Sequence, residues 1–408
     1  MKKFGLFLVL SLYVQSIFAQ ADFRPGYIIN INRDTVQGFI LYSEGNQKFT
    51  RCYFKTSLQQ PETKYTPADI VGYRLKNDSY FSVRSVKMDM ETKEQFFAEI
   101  LVQGRATLFK ILDRFYLEDN QQNIFPLEQT SREVVQDNKR FLRTDRKYLG
   151  ILNWKFSDCS KMKRQINDVT LHERELTIAF EKYNSCFNQQ TTSFKDQKPW
   201  TRHAVGVASG VIFTNLDVDG LASFIDSKKF KHDTGMAIGL RYTISSPRIS
   251  EKFSMNVGFT FQKASHKSDM HTSDTRDIVS MQYNAFRIPV SVTYNFSALN
   301  RRLVPFLEGG VAFVLYANLK SYWQREEVIN NTLVVNRLDN FFFYRKSIAR
   351  PFLGLGATYK LNDQFDVSLR AQYHYGSSHI LAAISPMIEK NIIAEGAVYY
   401  KLRNKKEQ

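Results

Sequence analysis

The sequence predicts a mainly β protein. It should have a C-terminal eight-stranded antiparallel transmembrane β-barrel, an N-terminal β-rich domain and a short helical segment. Three observations lead there. Strand-length segments after Trp200 alternate apolar and polar residues with a period of two. Their polar positions are crowded with glycine, which weakens a solvent-facing strand. The links between the segments alternate between short and long, as in outer-membrane barrels.

At the start, Met1-Lys2-Lys3 is basic, Phe4 to Val14 is apolar, and Ala19 is a small residue before Gln20. This reads as a secretory signal peptide over residues 1–19. The apolar run is too short to span a bilayer. No cysteine follows it, which argues against a lipidated terminus. No later run is long enough for a membrane helix, and a mean hydropathy of −0.35 fits strands that are only half apolar. The net charge is +16, or +14 without Lys2 and Lys3. Export argues against nucleic acid as its reason, so a phosphate-rich membrane surface is the expected acidic neighbour.

Residues 20–128 read as a β-rich domain placed in the periplasm. "GYIIN" and "TVQGFILY" form a hairpin about Asn32-Arg33-Asp34, and short strands with frequent turn signals follow. Residues 129–187 read as helical. Thr130 and Glu133 stand at capping-box spacing before Val134, Val135, Phe141 and Leu142, and Thr170 and Glu173 repeat the device. The second helix aligns Leu176, Ala179, Phe180 and Tyr183. An oxidising compartment permits a bridge. Cys159 opening one helix and Cys186 closing the next would pair, leaving Cys52 free in a strand. His172 has no second ligand at helical spacing, and no phosphate loop or nucleophile elbow occurs, so no cofactor or metal is implied. Residues 188–200 are polar and aperiodic and read as a linker.

The barrel is assigned to residues 201–403. Its strands are "HAVGVASGVIF", "GMAIGLRYTI", "KFSMNVGFTFQK", "FRIPVSVTYNF", "LVPFLEGGVAFVL", "RPFLGLGATYKL", "QFDVSLRAQYHY" and "NIIAEGAVYYKL". Each is long enough to cross a bilayer when tilted. The faces opposite the apolar ones hold glycines and a set of charges: Arg241, Arg287, Glu308, Lys360, Asp366, Arg370 and Glu395. A narrow lumen needs small residues and lets a few charges pair, so this face should point inward and the apolar face meet lipid. Short links at "SSPRIS", "SALNRR" and "NDQ" alternate with long ones at about residues 215–233, 264–282, 317–342 and 376–390. A soluble lipocalin-like barrel would show the same alternation with the apolar face inside.

The segments "VPFLEGGVAF" and "RPFLGLGATYKL" resemble the outer-membrane β-barrel family of the OmpX and PorT-like kind. The resemblance covers about residues 200–403 and implies an eight-stranded barrel in a Gram-negative outer membrane. It implies no single activity. The N-terminal half looks like an exported domain found before such barrels.

The expected function is therefore binding, scaffolding or envelope assembly, without an open pore and without catalysis. The resemblance also admits an accessory role in secretion. A lipid-modifying enzyme is the remaining alternative, since His374, Ser377, Ser378 and His379 stand at a strand end. Basic residues in the long loops, with Lys228, Lys229, Arg345 and Lys346 foremost, would contact lipid phosphates such as those of lipopolysaccharide. Envelope or secretion proteins are the other expected partners.

Overall fold

The computed structural model describes residues 22–402 apart from 89–91, 137–138, 188–189, 196–197, 219–232, 272–273, 297–301, 331, 341–342, 345–346 and 383–384. The segment read as a signal peptide, residues 1–19, therefore lies outside the described residues. The chain divides into two compact units, one ending at Lys198 and one beginning at Pro199.

In the first unit ten strands in continuous order, joined by an eleventh further along the chain, form one antiparallel sheet. They are β1 (Phe23–Asn30), β2 (Thr35–Leu41), β3 (Cys52–Lys55), β4 (Thr63–Tyr65), β5 (Ile70–Leu75), β6 (Tyr80–Lys87), β7 (Lys93–Gln103), β8 (Thr107–Ile111), β9 (Arg114–Glu118) and β10 (Ile124–Leu127). Their order is β10-β9-β8-β7-β6-β5-β1-β2-β3-β4. Arg33, with φ of 67°, makes the turn of the first hairpin. One apolar cluster gathers Ile28, Phe54, Tyr73, Phe97 and Tyr116. A second packs Leu101, Leu108 and Leu117 against Leu152, Phe156, Leu176 and Phe180. β7 feeds both clusters, so its run from Phe96 to Val102 is buried on both sides and does not alternate.

The region predicted as wholly helical begins with strands. β11 (Thr130–Gln136) and β12 (Lys139–Asp145) form a separate hairpin. A helix there would have needed a stripe buried against a core. Instead Val135, Phe141 and Leu142 are exposed, and the β-branched pair Val134-Val135 favours a strand. The helices are α1 (Lys147–Lys155) and α2 (Glu173–Ser185). α2 buries the expected stripe, but its N-cap is His172 and no side chain caps it, so Thr170 does not act as predicted. Cys159 lies beyond the end of α1 and does not open a helix, while Cys186 is the C-cap of α2. The two cysteines are bridged with Cα atoms 6.1 Å apart, and Cys52 is free and buried.

Part of the predicted linker is a strap on this unit. β13 (Thr192–Ser193) pairs with β7, and Phe194 donates its N–H to the Leu101 carbonyl at 3.0 Å. A two-residue pairing is too short to give a periodic signal. Lys195 then reaches the buried carboxylate of Glu99, which Lys48 also meets at 3.3 Å and the Ser79 hydroxyl at 2.9 Å. Burial pushes the Glu99 carboxyl up, but Lys195, Lys48 and Ser79 outweigh it and hold the group well below the usual range. Glu99→Gln would leave Lys195 without its closest counter-charge, at a cost of about 3–5 kcal/mol in urea unfolding of this unit. The Glu99 contribution is complete above its ordinary value of 4.5 and is lost as pH falls below it. The variant should therefore lack part of the acid limb of the stability–pH curve.

The second unit is a closed ring. Its members are β14 (Arg202–Val218), β15 (Asp233–Ser245), β16 (Phe253–His271), β17 (Thr275–Asn295) and β18 (Leu303–Ile329). After β19 (Thr332–Asp339) and β20 (Phe343–Tyr344) come β21 (Ser347–Lys360), β22 (Phe365–Ala382) and β23 (Ser385–Leu402). The ring runs β14-β15-β16-β17-β18-β21-β22-β23, and β23 pairs back onto β14 from His203↔Leu402 to Val218↔Met387. β19 extends β18 outside the ring, and β20 pairs with β22.

Much of what the sequence suggested as long loops is strand. β16, β17, β18, β22 and β23 run through most of 264–282, 317–342 and 376–390. From Lys263 to His271 exposed and buried residues still alternate. The outward residues there are Lys263, Ser265, Lys267, Asp269 and His271, so the apolar signal stops while the strand continues.

Within the ring the apolar face points outward. Met255, Val257 and Phe259 are 45–56% exposed, whereas Asn256, Thr260 and Gln262 are 1–6% exposed. This excludes the lipocalin-like arrangement, which would reverse the two faces. At the end where the first ring strand begins and the last one ends, outward Tyr242, Phe253, Tyr294, Tyr359, Phe365 and Tyr400 form an aromatic girdle. About ten residues of apolar exterior, at about 3.3 Å per residue and tilted, match a band of about 25 Å. Val257→Arg should cost about 2–4 kcal/mol in unfolding from a lipid bilayer. A cost near zero would mean that this face does not meet lipid.

Candidate functional site in the barrel lumen

Inward positions of the ring bring distant charges together in two networks. In the first, Arg241 on β15 donates from Nε to Glu395 Oε1 on β23 at 3.0 Å. Arg370 on β22 meets the same carboxylate at 3.4 Å and Glu308 on β18 at 3.3 Å. Glu308 also accepts from Ser291 Oγ at 2.6 Å and Gln372 Nε2 at 3.0 Å. Arg370 Nη2 donates to the Tyr399 hydroxyl at 2.5 Å. Four strands are thus tied through alternating charges.

Arg241 has room because Gly258 lies opposite it across β15 and β16. A Cβ at Gly258 would stand 2.5 Å from Arg241 Nη1. Pro289 also presses on this point, 3.1 Å from the same Cβ position. The β16–β17 pairing is interrupted between Val257↔Val290 and Thr260↔Arg287 without a change of register, where Pro289 has no N–H to donate.

The second network centres on Glu389. Arg350 Nη2 lies 2.6 Å from Glu389 Oε2 and 2.6 Å from the Tyr316 hydroxyl. Tyr316 donates to Glu389 at 3.2 Å, Asn391 Nδ2 donates to it at 2.8 Å, and Arg287 lies 3.8 Å away. Arg287 Nη1 also donates to Gln262 Oε1. Arg350 and Glu389 are both 0% exposed.

Arg241, Arg287, Glu308, Arg370 and Glu395 are therefore in the networks, as placed from sequence. Lys360 and Asp366 are not. They sit at the mouth of the lumen, where Asp366 pairs with Lys401 at 2.8 Å. The sequence reading missed Glu389 because it began that strand only at Asn391, and it passed over Arg350, which opens its quoted strand on the inward face. Extending the inward parity of Glu395 backward reaches Ile393, Asn391 and Glu389, and that of Phe352 reaches Arg350. The rim residues Lys228, Lys229, Arg345 and Lys346 lie outside the described residues. Ser377, Ser378 and His379 fall within β22 and not at a loop start. The buried His374 ring stacks on Phe352 with centroids 4.6 Å apart. No group of three metal-ligating side chains occurs among the described residues.

A closed eight-strand ring with an apolar exterior and a paired polar interior is what a membrane barrel requires. The model of the outer membrane protein beta-barrel domain matches residues 187–399, more than half of the chain. The chain belongs to this family. No curated protein matches it. Among solved structures, Neisserial surface protein A is similar, at 11% identity and a TM-score of 0.28, over 49% of this chain and 97% of that one. Ail, the attachment invasion locus protein of Yersinia pestis, is similar at 9% identity and a TM-score of 0.25, over 49% and 99%. OmpT, the outer membrane protease of Escherichia coli, is similar at 10% identity and a TM-score of 0.16, over 50% and 96%.

Within this outer-membrane barrel the networks set a stability prediction. Arg350→Met strands Glu389 in a buried site and should cost about 3–5 kcal/mol, read as earlier loss of the heat-modifiable folded band. Adding Glu389→Gln should restore part of that loss, because the uncompensated charge is gone.

Proposed function

We propose that this chain is an integral outer-membrane protein whose first unit lies in the periplasm. It acts by binding, scaffolding or envelope assembly, and neither conducts solutes nor catalyses a reaction. One observation carries the reading: the lumen is crossed at two levels by side chains bonded to one another, with Glu308, Arg350 and Glu389 at most 1% exposed. Eight strands enclose a space that side chains fill. What remains available to partners is the surface beyond the membrane band and the folded first unit. On the far side, β18 continues to Ile329 and carries β19 as an edge strand with Leu333, Val335 and Leu338 exposed. Outer-membrane lipid, including lipopolysaccharide, and envelope or secretion proteins are the partners this reading admits.

In a planar bilayer the purified chain should give no stable stepwise conductance. Replacing Arg350, Glu389, Arg370 and Glu308 by alanine together should create it. Stable channels from the unaltered chain would overturn the reading. Protease added to intact cells should spare the first unit until the outer membrane is permeabilised.

A further inference from the structure

The mouth of the lumen at the end where β14 begins and β23 ends differs from the networks within. Strand register places four charged side chains on adjacent strands there. Lys360 on β21 faces Asp366 on β22, Asp366 faces Tyr399 on β23, and Lys401 on β23 faces Ala204 on β14, two residues after Arg202. The alternation of faces sends Arg202, Lys360, Asp366 and Lys401 to the same side, and all four line one cavity of about 110 Å³.

The opposite wall is hydroxyl and amide. Thr243, Asn256, Thr293 and Asn295 come from β15, β16 and β17. Thr243 Oγ1 donates to Asn256 Oδ1 at 2.8 Å, and Asn256 Nδ2 donates to Thr293 Oγ1 at 2.7 Å, so this wall is ordered before any ligand arrives. Arg370 and Tyr399 also line the cavity, already held to each other and to Glu308.

The charges at this mouth do not balance. Lys401 is paired with Asp366 at 2.8 Å. The carboxylates that act on Lys360 are Asp366 and Glu251, against the cations Arg202 and Lys401. Lys360 and Arg202 make no ion pair with any other described residue. Three cations thus face two carboxylates, beside a network already rich in arginine. Excess positive charge in a concave, low-dielectric site attracts and concentrates anions.

We propose that this cup is a binding site for a phosphate group, either inorganic phosphate or a small phosphate monoester. A cavity of about 110 Å³ with converging charged and hydroxyl groups has room for one tetrahedral oxyanion. An ammonium and a guanidinium on one wall and hydroxyl and amide groups on the other supply charge-assisted and neutral bonds to several oxygens at once. A neutral sugar would leave the excess positive charge uncompensated. The inference rests only on the barrel, so its failure would leave the proposed function untouched.

The test uses the full chain, folded in non-ionic detergent. Calorimetric titration at fixed ionic strength compares inorganic phosphate, glycerol 1-phosphate and chloride. Saturable binding of inorganic phosphate alone identifies the free ion, and binding of both phosphates identifies the phosphate group. Lys360→Gln and Arg202→Gln should each weaken binding at least tenfold. Asp366→Asn should tighten it severalfold, because Lys401 is released, whereas a purely structural role for Asp366 would give no gain. Heat-modifiable mobility reports folding of each variant, and the two cation variants carry the test if Asp366→Asn does not fold. Absence of saturable phosphate binding would overturn the proposal. So would an equal response to chloride, or unchanged affinity in both cation variants.

Discussion

The pairing of β14 with β23 is the constraint on which the C-terminal half depends. In lipid no water is available for an exposed N–H or C=O, so a sheet can span only if it has no free edge. The seam runs from His203↔Leu402 to Val218↔Met387, longer than the membrane band itself. Once the ring is closed, each strand has one face to lipid and one to the lumen, and the alternation follows. The lumen of an eight-strand ring is too narrow for a large side chain at every inward position. Long cations are admitted where a neighbouring strand offers glycine: Gly258 lies beside Arg241, and Gly376 beside Arg350. Glycines that weaken an exposed strand are here what lets the plug form.

The paired interior also fixes register. A slip of one residue would turn every lipid-facing side chain inward. In β15 it would put Leu240 where Arg241 meets Glu395, and would place a charge against lipid. The two networks join five strands each, so no single pair can slip without breaking contacts to strands on the other side of the ring. Buried ion pairs often add little net stability over apolar packing. Their effect here is to make one alignment of the eight strands far better than its neighbours.

The barrel was legible because one environment acts along each face: Phe253 to Phe261 alternate cleanly since lipid and lumen impose opposite demands. Five of the lumen charges could be named for the same reason. Legibility ended where that contrast ended. Beyond Lys263 the outward face turns polar, so strands looked like loops, and Glu389 was lost with the strand end that carries it. In the first unit β7 is buried on both faces from Phe96 to Val102, so its partners cannot be read from period. The hairpin at Thr130–Asp145 shows the reverse error, in which a local capping pattern had no apolar stripe behind it. A capping box contributes only about 1 kcal/mol, which cannot hold a helix that buries nothing.

The two units bury charge with different residues, and the difference follows from geometry. In the first unit Glu99 is met by Lys195 and Lys48, each arriving from a separate segment. A lysine brings a compact charge on a flexible stem, which suits a short strap closing over a finished sheet. Lys195 itself sits at φ of 62°, so the backbone bends to deliver it. In the lumen the carboxylates stand on rigid strands and must be bridged across fixed gaps. Arg370 does this by touching Glu308, Glu395 and Tyr399 with different nitrogens of one planar group. A single ammonium at that position would have to serve all three from one point. Arginine therefore belongs where the wall sets the distances, and lysine where the chain can still adjust.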